Sequence, residues 1–237
     1  MAHDNLRYGE SDVCFAQPGY EELIARLLAG DGKAVATYRS QEATVQAVDV
    51  THDGRGLALI VRTPKEAGME EADPRLSARA RALCLHLGHE ALEQVLVCGL
   101  NIVITERMEG ELTGLPIEQV EDIKLYDLER LAIAIERACA GKPLAIDTRG
   151  PNILWDGGGL AIIDYAAPES GAEPAGQQFR RIVRERLQWE HLGAASERSR
   201  EAWKRVYELG MHVLRMRYPD QYAQVMYYDQ MRSKDMR

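Results

Sequence analysis

Two aspartates and an asparagine lie close together in the segment 144–165, which reads LAIDTRGPNILWDGGGLAIIDY. Asp147 comes first, Asn152 follows five residues later, and Asp164 closes an apolar run near the end of the segment. Asn152 and Asp164 offer the hard oxygen ligands that Mg²⁺ prefers, and Asp147 can accept the proton of an attacking hydroxyl. The pattern therefore predicts a site for magnesium-dependent phosphoryl transfer.

Two apolar runs between these polar residues predict a β-hairpin that would hold them in place. Residues 153–155 (ILW) and 160–163 (LAII) have the composition of short strands, and residues 156–159 (DGGG) that of a turn. Burial of both strands would fix the polar residues at their ends. Two other interpretations stay open: polar residues that only cap turns and strand ends, and glycoside hydrolysis by Asp147 and Asp164, which gives Asn152 no task.

The composition predicts a globular protein without a general affinity for nucleic acid. The chain has 237 residues, of which 46% are hydrophobic and 28% charged, and its formal net charge is -8. An acidic protein repels the phosphate backbone, so we expect no nucleic-acid partner. The cysteines show no paired metal or redox spacing, which predicts free thiols in a reducing compartment. They are Cys14, Cys84, Cys98 and Cys139.

No segment of the sequence has the pattern of a membrane anchor or a secretory signal. The longest apolar run, residues 95–105, is too short to cross a bilayer and is interrupted by Gly99 and Asn101. The first residues, MAHDNLRYGES, are polar. We therefore expect a cytoplasmic protein with no membrane partner.

The order of predicted elements indicates an α+β chain in two parts. The pattern of residues predicts a helical segment within the N-terminal extension 1–32. In the part 33–108 it predicts five short antiparallel strands with one helix at 73–88. The part 109–237 predicts mainly helices, with the hairpin 144–165 among them. These helices are expected at 126–140, near 177–192, at 197–217 and after Pro219.

Three segments in this order resemble motifs of the protein-kinase-like superfamily. The segment from Asp147 to Asn152 resembles the D-x-x-x-x-N catalytic loop, and Asp164-Tyr-Ala resembles the D-F-G motif with alanine in place of glycine. Residues 102–111 (IVITERMEGE) resemble the fifth strand and the hinge. The resemblance implies a two-lobed protein-kinase-like fold, with a small antiparallel N-lobe, a mainly helical C-lobe, and ATP with Mg²⁺ between them.

The resemblance also implies a role for each matching residue of the catalytic hairpin. Asp147 would position the acceptor hydroxyl, while Asn152 and Asp164 would hold the metal. Arg149 would contact phosphate. Since Arg149 stands where protein kinases carry a lysine and small-molecule kinases often carry a histidine, it favours a protein acceptor.

The nucleotide would be held by the strand that precedes the hinge and by a cation of the third strand. Thr105 would be the gatekeeper, and the backbone of Glu106 and Met108 would contact adenine. The third strand, 57–62, has no lysine at the expected position, which makes Arg62 the candidate for the phosphate cation.

Other features depart from the superfamily pattern. The turn 40–42 (SQE) contains no glycine, no glutamate partner can be assigned in the helix 73–88, and Ala145 replaces the catalytic-loop histidine. The short turn resembles that of RIO-like kinases, and the short segment after Asp164 resembles minimal kinases that bacteria secrete as effectors. Secretion into a host cell as an effector is therefore an alternative to the cytoplasmic location.

Three functions remain open on this basis. The first is an atypical Ser/Thr protein kinase with ATP as donor and a protein as acceptor. The second is a small-molecule kinase of the aminoglycoside or choline type, for which Glu173, Glu185 and Glu190 would have to form an acidic pocket. The third is a pseudokinase that binds nucleotide or a partner without catalysis, favoured by the missing lysine and glutamate.

Overall fold

The computed structural model describes residues 13–38, 43–64, 81, 85, 90–99, 102–108, 110–112, 114–141, 145–148, 152–155, 157–166 and 173–235. The chain divides into two compact units. The first comprises residues 1–108 and 165–169, and the second comprises residues 109–164 and 170–237. The first unit is rich in strands and the second is mainly helical, which gives the mixed α+β composition expected from the sequence.

The first unit contains an antiparallel sheet with the strand order β1-β5-β6-β4-β3-β2. This sheet has six strands rather than the predicted five, because the short strand β1 pairs with β5 through Cys14 and Cys98. Within the extension 1–32 the sequence predicts a helix and no strand. The strands are Cys14–Phe15 (β1), Lys33–Tyr38 (β2), Ala43–His52 (β3), Arg55–Pro64 (β4), Val95–Cys98 (β5) and Val103–Glu106 (β6).

A two-residue turn joins β3 to β4 and sets the register of the longest hairpin. Asp53 and Gly54 have φ values of 49° and 74°, which suit the type I′ turn that an Asp-Gly pair favours. The register then runs from the His52–Arg55 pair along the full length of both strands. On its other side β4 pairs with β6, with Ile60 opposite Thr105 and Arg62 opposite Val103. This pairing brings Arg62 next to Thr105.

Helix α1 (Tyr20–Leu28) supplies apolar side chains to the core of the first unit. Tyr20, Leu23 and Ile24 pack with residues of β4 and β6 that include Leu59 and Ile104. The predicted extension 1–32 thus contributes to the core of the sheet. Of the predicted helix 73–88, Arg81 and Leu85 are among the described residues, and both are helical. The turn 40–42 lies outside the described residues.

The second unit is built from helices around a short hairpin. Helix α3 (Leu125–Gly141) contacts two other helices, Ala175–Arg181 and Glu197–Arg217, and the strand Leu160–Ile162. Its residues Leu128, Leu131 and Ile135 are fully buried. Its bounds exceed the predicted 126–140 by one residue at each end. The helices are Ile117–Asp122 (α2), Leu125–Gly141 (α3), Ala175–Arg181 (α4), Gln188–Gly193 (α5), Glu197–Arg217 (α6) and Pro219–Asp235 (α7); the strands are Ala145–Ile146 (β7), Ile153–Trp155 (β8) and Leu160–Ile162 (β9).

A π-helical segment, Ile182–Leu187, joins α4 to α5 without a break in the chain's helical course. The sequence predicted one helix here, and the wider π turn was not foreseen. The last strand of the chain, Tyr165–Ala166 (β10), belongs to the first unit. In the part of the chain that the structure describes, none of the helices has the length and apolar character needed to cross a membrane.

Candidate functional site

The β8–β9 hairpin brings the three predicted phosphotransfer residues together by backbone contacts. Ile153 pairs with Ile162, and the N–H of Ile163 donates to the carbonyl oxygen of Asn152 at 2.9 Å. The N–H of Asp147 donates to the carbonyl oxygen of Asp164 at a longer 3.4 Å. Asn152 therefore lies beside the residue before Asp164, and Asp147 lies beside Asp164 itself. Residues separated by up to 17 positions in sequence share one end of the hairpin.

The hairpin is rigidly held because its strands are buried and bonded to a neighbouring segment. All residues of β8 and β9 are buried. The N–H of Trp155 donates to the carbonyl oxygen of Gly110 at 2.7 Å, and the N–H of Leu112 donates to that of Ile153 at 2.9 Å. In contrast, the polar residues at the end of the hairpin keep access to solvent: Asp147 and Asn152 are half-buried and Asp164 is exposed.

Gly110 is required for this arrangement by both its backbone and its surroundings. Its φ is 88°, in the left-handed region that glycine adopts without steric cost. A Cβ atom at this position would lie 2.0 Å from the carbonyl oxygen of Trp155, which is far inside van der Waals contact. The chain can therefore approach β8 this closely only at a glycine.

Asp164 has a left-handed backbone with φ 62°. Such a conformation is uncommon for a residue with a side chain, although aspartate tolerates it better than most. Strained backbone of this kind is concentrated at functional sites, where surrounding contacts hold it in place. Of the three hairpin residues, Asp164 is the one with a left-handed backbone.

Gln178 supports the strand that leads to Asp147, and sequence reasoning missed it. The side chain is fully buried, and its Oε1 accepts the N–H of Ile146 at 2.8 Å. Its Nε2 donates to the carbonyl oxygen of Glu173 at 2.9 Å and to Sγ of Cys139 at 3.2 Å. Burial raises the pKa of the Cys139 thiol, although the bond from Gln178 acts in the opposite direction. A single glutamine in a helical pattern gave no signal of this role.

A second polar assembly, which we call the Glu93 cluster, lies within the first unit and consists of Arg62, Arg81, Glu93 and Thr105. One carboxylate oxygen of Glu93 lies 2.7 Å from Nη1 of Arg62 and accepts the Thr105 hydroxyl at 2.7 Å. The other accepts Nη1 of Arg81 at 2.8 Å. Glu93 and Arg81 are only 1% and 3% exposed at their side chains, so these charges are held away from water.

Opposing effects set the protonation of Glu93. Burial alone would raise the pKa of its carboxyl group, but the nearby charges of Arg81 and Arg62 and the Thr105 hydrogen bond outweigh that effect. The resulting pKa is about 2, well below the ordinary 4.5. Glu93 therefore stays ionised at neutral pH as the common acceptor of the cluster.

Tyr165 adds an aromatic ring to the Glu93 cluster. Its hydroxyl donates to the carbonyl oxygen of Glu93 at 3.2 Å, and the guanidinium carbon of Arg81 lies 5.4 Å from the centre of its ring. The tyrosine is 1% exposed. The hydroxyl of Tyr165 and the face of its ring each have a partner, which holds the ring in one position. Tyr165 is the aromatic residue of the segment that resembles the D-F-G motif.

The predicted nucleotide-binding residues of the first unit are engaged in different ways. Thr105 is fully buried, and its hydroxyl also accepts Nη1 of Arg62 at 3.1 Å. The N–H of Glu106 donates to the carbonyl oxygen of Gln94 at 2.9 Å, so this donor is used within the protein. Met108 is half-buried. The predicted contacts of Glu106 and Met108 with adenine stay predictions.

Two of the three glutamates of the small-molecule hypothesis, Glu173 and Glu190, are ion-paired with arginines. Glu173 lies 2.9 Å from Nη2 of Arg181, and Glu190 pairs with Arg186 on the same helical segment.

Across the described ranges no group of three or more His, Cys, Asp or Glu side chains is placed to hold a metal ion. Arg149 lies outside the described residues.

The chain has matches among solved structures. No protein-family model matches the chain, and no curated protein matches it. The chain is similar to the kinase domain of PknI from Mycobacterium tuberculosis, with 16% sequence identity over 65% of this chain and 71% of that chain and a TM-score of 0.44. A similarity at this level does not assign a function to the chain.

Proposed function

We propose that the chain is a kinase-type phosphotransferase that uses ATP and Mg²⁺. The observation that carries this proposal is the β8–β9 hairpin, which holds Asp147, Asn152 and Asp164 at one end on a buried frame. Phosphoryl transfer asks the protein mainly for positioning and charge stabilisation. A fixed hairpin end with accessible oxygen ligands provides both.

The residues present fit a magnesium ion bound together with a nucleotide. Mg²⁺ is usually held by one or two carboxylates with substrate phosphates and water, rather than by a cage of protein ligands. The amide oxygen of Asn152 and the exposed carboxylate of Asp164 would form such a partial site. A site of this kind needs no cluster of three acidic or histidine side chains. When bound, the metal would neutralise the charge that develops on the phosphates.

Asp147 is the proposed acceptor-positioning residue. It follows β7, whose Ile146 N–H is bound by the buried Gln178, so the backbone before the carboxylate is anchored. The half-buried carboxylate would accept a hydrogen bond from the attacking hydroxyl and orient it toward the phosphate. Arg149 would add positive charge next to this position.

Arg62 is the proposed phosphate cation of the first unit. Its contacts with Glu93 and Thr105 are both made by Nη1, and neither uses the N–H groups on Nη2 and Nε. A guanidinium can bind a carboxylate on one side and phosphate oxygens on another because its five donors point outward in one plane. Glu93 would then take the place of the helix glutamate that the sequence does not supply.

We further propose a Ser or Thr hydroxyl of a protein as the acceptor. Kinases that act on cationic small molecules need carboxylates free to bind them, whereas Glu173 and Glu190 are occupied by arginines. The experiment is transfer of labelled γ-phosphate from ATP with Mg²⁺ to a mixture of unrelated Ser- and Thr-rich proteins, and separately to aminoglycosides and to choline. Label in protein supports the proposal, and label only in a small molecule contradicts the proposed acceptor.

Two variants test whether the hairpin carries the activity. Asp164→Ala and Asp147→Asn should each lower the transfer rate by at least about a hundredfold, since each removes a group that acts on the transition state. Asp220→Asn, which changes an exposed aspartate of α7, is the matched control and should keep full activity. Full activity in Asp164→Ala would refute the proposed site.

A pseudokinase is the second candidate, favoured by one observation. Nη1 of Arg62 is held by both Glu93 and Thr105. If these partners keep the guanidinium away from the phosphates, the protein would bind nucleotide without transferring phosphate. A rise of the melting temperature with ATP and Mg²⁺, without label on any acceptor or on the protein, would identify this function.

A further inference from the structure

The second unit contains a cavity that the phosphotransfer site does not use. Its volume is about 430 Å³, within the range of known ligand sites. The segment from α4 through the π-helix to α5 forms one wall, and α7 forms the other. We call it the arginine pocket after the residues that line it, among them Arg180, Arg181, Arg184, Trp189, Leu192 and Tyr228.

The three guanidinium groups of the pocket differ in their partners. Arg184 lies 2.5 Å from Asp229, and Arg181 lies 2.9 Å from Glu173, so both are ion-paired. Arg180 instead donates to the neutral amide oxygen of Gln224 at 3.1 Å. Glu185 also lines the cavity, but among the described residues no carboxylate lies within ion-pair distance of Arg180. Arg180 thus offers a positive charge to a ligand.

Large apolar side chains stand exposed at the same cavity. Trp189 is 69% exposed, Leu192 is 68% exposed and Tyr228 is 57% exposed. Exposed aromatic residues next to arginine are the composition typical of protein-protein contact centres, where charged residues other than arginine are depleted. A ligand for this surface therefore combines a negative charge with an apolar group.

The wall of the pocket has an unusual backbone. The π-helix Ile182–Leu187 carries Arg184 and Glu185 into the lining, while Val183 and Leu187 are buried against Gly210 of α6. A Cβ at Gly210 would lie 3.0 Å from side-chain atoms of both residues. π turns inside helices occur frequently at functional sites. This feature supports a binding role independently of the side-chain composition.

We propose that the arginine pocket is a docking site for an acidic segment of a partner protein. A carboxylate of that segment binds Arg180, and a neighbouring apolar side chain packs on Trp189 and Leu192. An acidic peptide is favoured over nucleic acid because the whole chain carries a net charge of -8, which repels a continuous phosphate backbone, whereas a short segment with a few carboxylates needs only a local cation. Docking here does not depend on phosphoryl transfer.

Tryptophan fluorescence provides a direct test, because the other two tryptophans, Trp155 and Trp203, are buried. The probe is the blocked peptide Asp-Glu-Leu-Leu-Asp-Glu, and its matched control is Asn-Gln-Leu-Leu-Asn-Gln. The acidic peptide should change the fluorescence in a saturable way that Trp189→Phe abolishes. Arg180→Gln should weaken its binding by about tenfold, the loss expected for a charge-assisted hydrogen bond.

Arg215→Gln, which changes an exposed arginine in the last turn of α6, is the control variant and should leave the dissociation constant unchanged. Far-UV circular dichroism establishes that each variant is folded, and Arg180→Lys, which keeps the charge, should restore part of the affinity. The proposal is overturned if neither peptide binds up to about 1 mM, if the two peptides bind equally, or if a single-stranded RNA oligonucleotide binds more tightly than the acidic peptide.

Discussion

The two polar assemblies of this protein are held together in opposite ways. At the end of the β8–β9 hairpin, backbone hydrogen bonds and buried apolar strands fix the chain, and the side chains of Asp147, Asn152 and Asp164 project from it with access to solvent. In the Glu93 cluster the side chains themselves make the contacts, and three of the four are almost fully buried.

The difference separates two kinds of polar assembly. A site whose frame is made by backbone and apolar residues can lose a polar side chain with little effect on folding, because the frame does not depend on that side chain. A buried cluster of charges cannot lose a side chain without a large effect on folding, because each remaining charge is left without its partner in a low dielectric. Stability should therefore respond strongly to changes in the cluster and weakly to changes at the hairpin end.

Glu93→Gln should give the largest effect on stability. It keeps the shape of the side chain but removes the negative charge that Arg62 and Arg81 share. Breaking a buried ion pair from one side typically costs about 3 to 5 kcal/mol. We expect a loss of this size in the free energy of unfolding measured by urea denaturation.

Glu201→Gln is the control for this change, because Glu201 is an exposed residue of α6. Its effect should stay within about 0.5 kcal/mol. If Glu93→Gln were as mild as the control, the cluster would not contribute more to stability than an ordinary surface pair, and the contrast with the hairpin would fail.

The pH dependence of stability sharpens the same contrast. The pKa of Glu93 is lowered from 4.5 to about 2, so the unfolded chain binds the proton more readily than the folded protein does. The resulting stabilisation is fully present above about pH 4.5 and is lost as the pH falls toward 2. This stabilisation amounts to about 3 kcal/mol, since a difference of one pKa unit between the folded and unfolded states corresponds to about 1.4 kcal/mol.

The measurement is the difference in unfolding free energy between the wild-type protein and Glu93→Gln at several pH values. This difference should shrink by about 3 kcal/mol between pH 5 and pH 2, because protonated Glu93 resembles glutamine. Exposed carboxylates cancel in the comparison, since both proteins carry them. A difference that does not change with pH would mean that Glu93 titrates normally.

The same contrast explains what the sequence could predict. The hairpin and helix α3 follow from local patterns, since apolar runs, a glycine-rich turn and helical spacing all lie within about twenty residues. The residues of the Glu93 cluster lie at positions 62, 81, 93 and 105, and the antiparallel pairing of β4 with β6 brings Arg62 and Thr105 together. Arg62 and Thr105 were singled out by their positions in a motif, whereas Glu93, which joins them, has no local signature.

Other features were missed for similar physical reasons. Strand β1 has two residues, too few for any alternation to be visible, and depends on its partner β5. Gln178 has no mark in sequence because its partners, Ile146 and Cys139, are distant along the chain. The left-handed backbone of Asp164 could not be foreseen either, since aspartate adopts it only where surrounding structure requires it.

Gly110→Ala should break the frame of the hairpin rather than its polar end. The new Cβ would lie 2.0 Å from the carbonyl oxygen of Trp155 and would also occupy a left-handed backbone. We expect a loss of about 2 to 3 kcal/mol in unfolding free energy, together with a loss of phosphate transfer because β8 must shift.

Gly114→Ala separates the two causes. Gly114 has φ 93°, but nothing lies within 4 Å of the position its Cβ would take. This variant therefore carries the backbone strain without the clash. Its unfolding free energy should fall by only about 1 kcal/mol, and its phosphate-transfer activity should be unchanged. Equal losses in both variants would show that the close approach to Trp155 is not what fixes the hairpin.

The smallest expected effect tests the hairpin end directly, by comparing glycine with alanine at Asp164. Both variants lack the carboxylate and should be inactive, but glycine accepts φ 62° freely and alanine does not. Asp164→Gly should therefore unfold with a free energy about 1 kcal/mol higher than Asp164→Ala. Asp53 in the β3–β4 turn, with φ 49°, is the matched position, where the same pair of changes should give the same order of stability but leave phosphate transfer intact. If alanine were as stable as glycine at Asp164 but not at Asp53, the hairpin end would relax to another backbone without its aspartate. The frame would then depend on the polar side chain, and the distinction between the two assemblies would not hold.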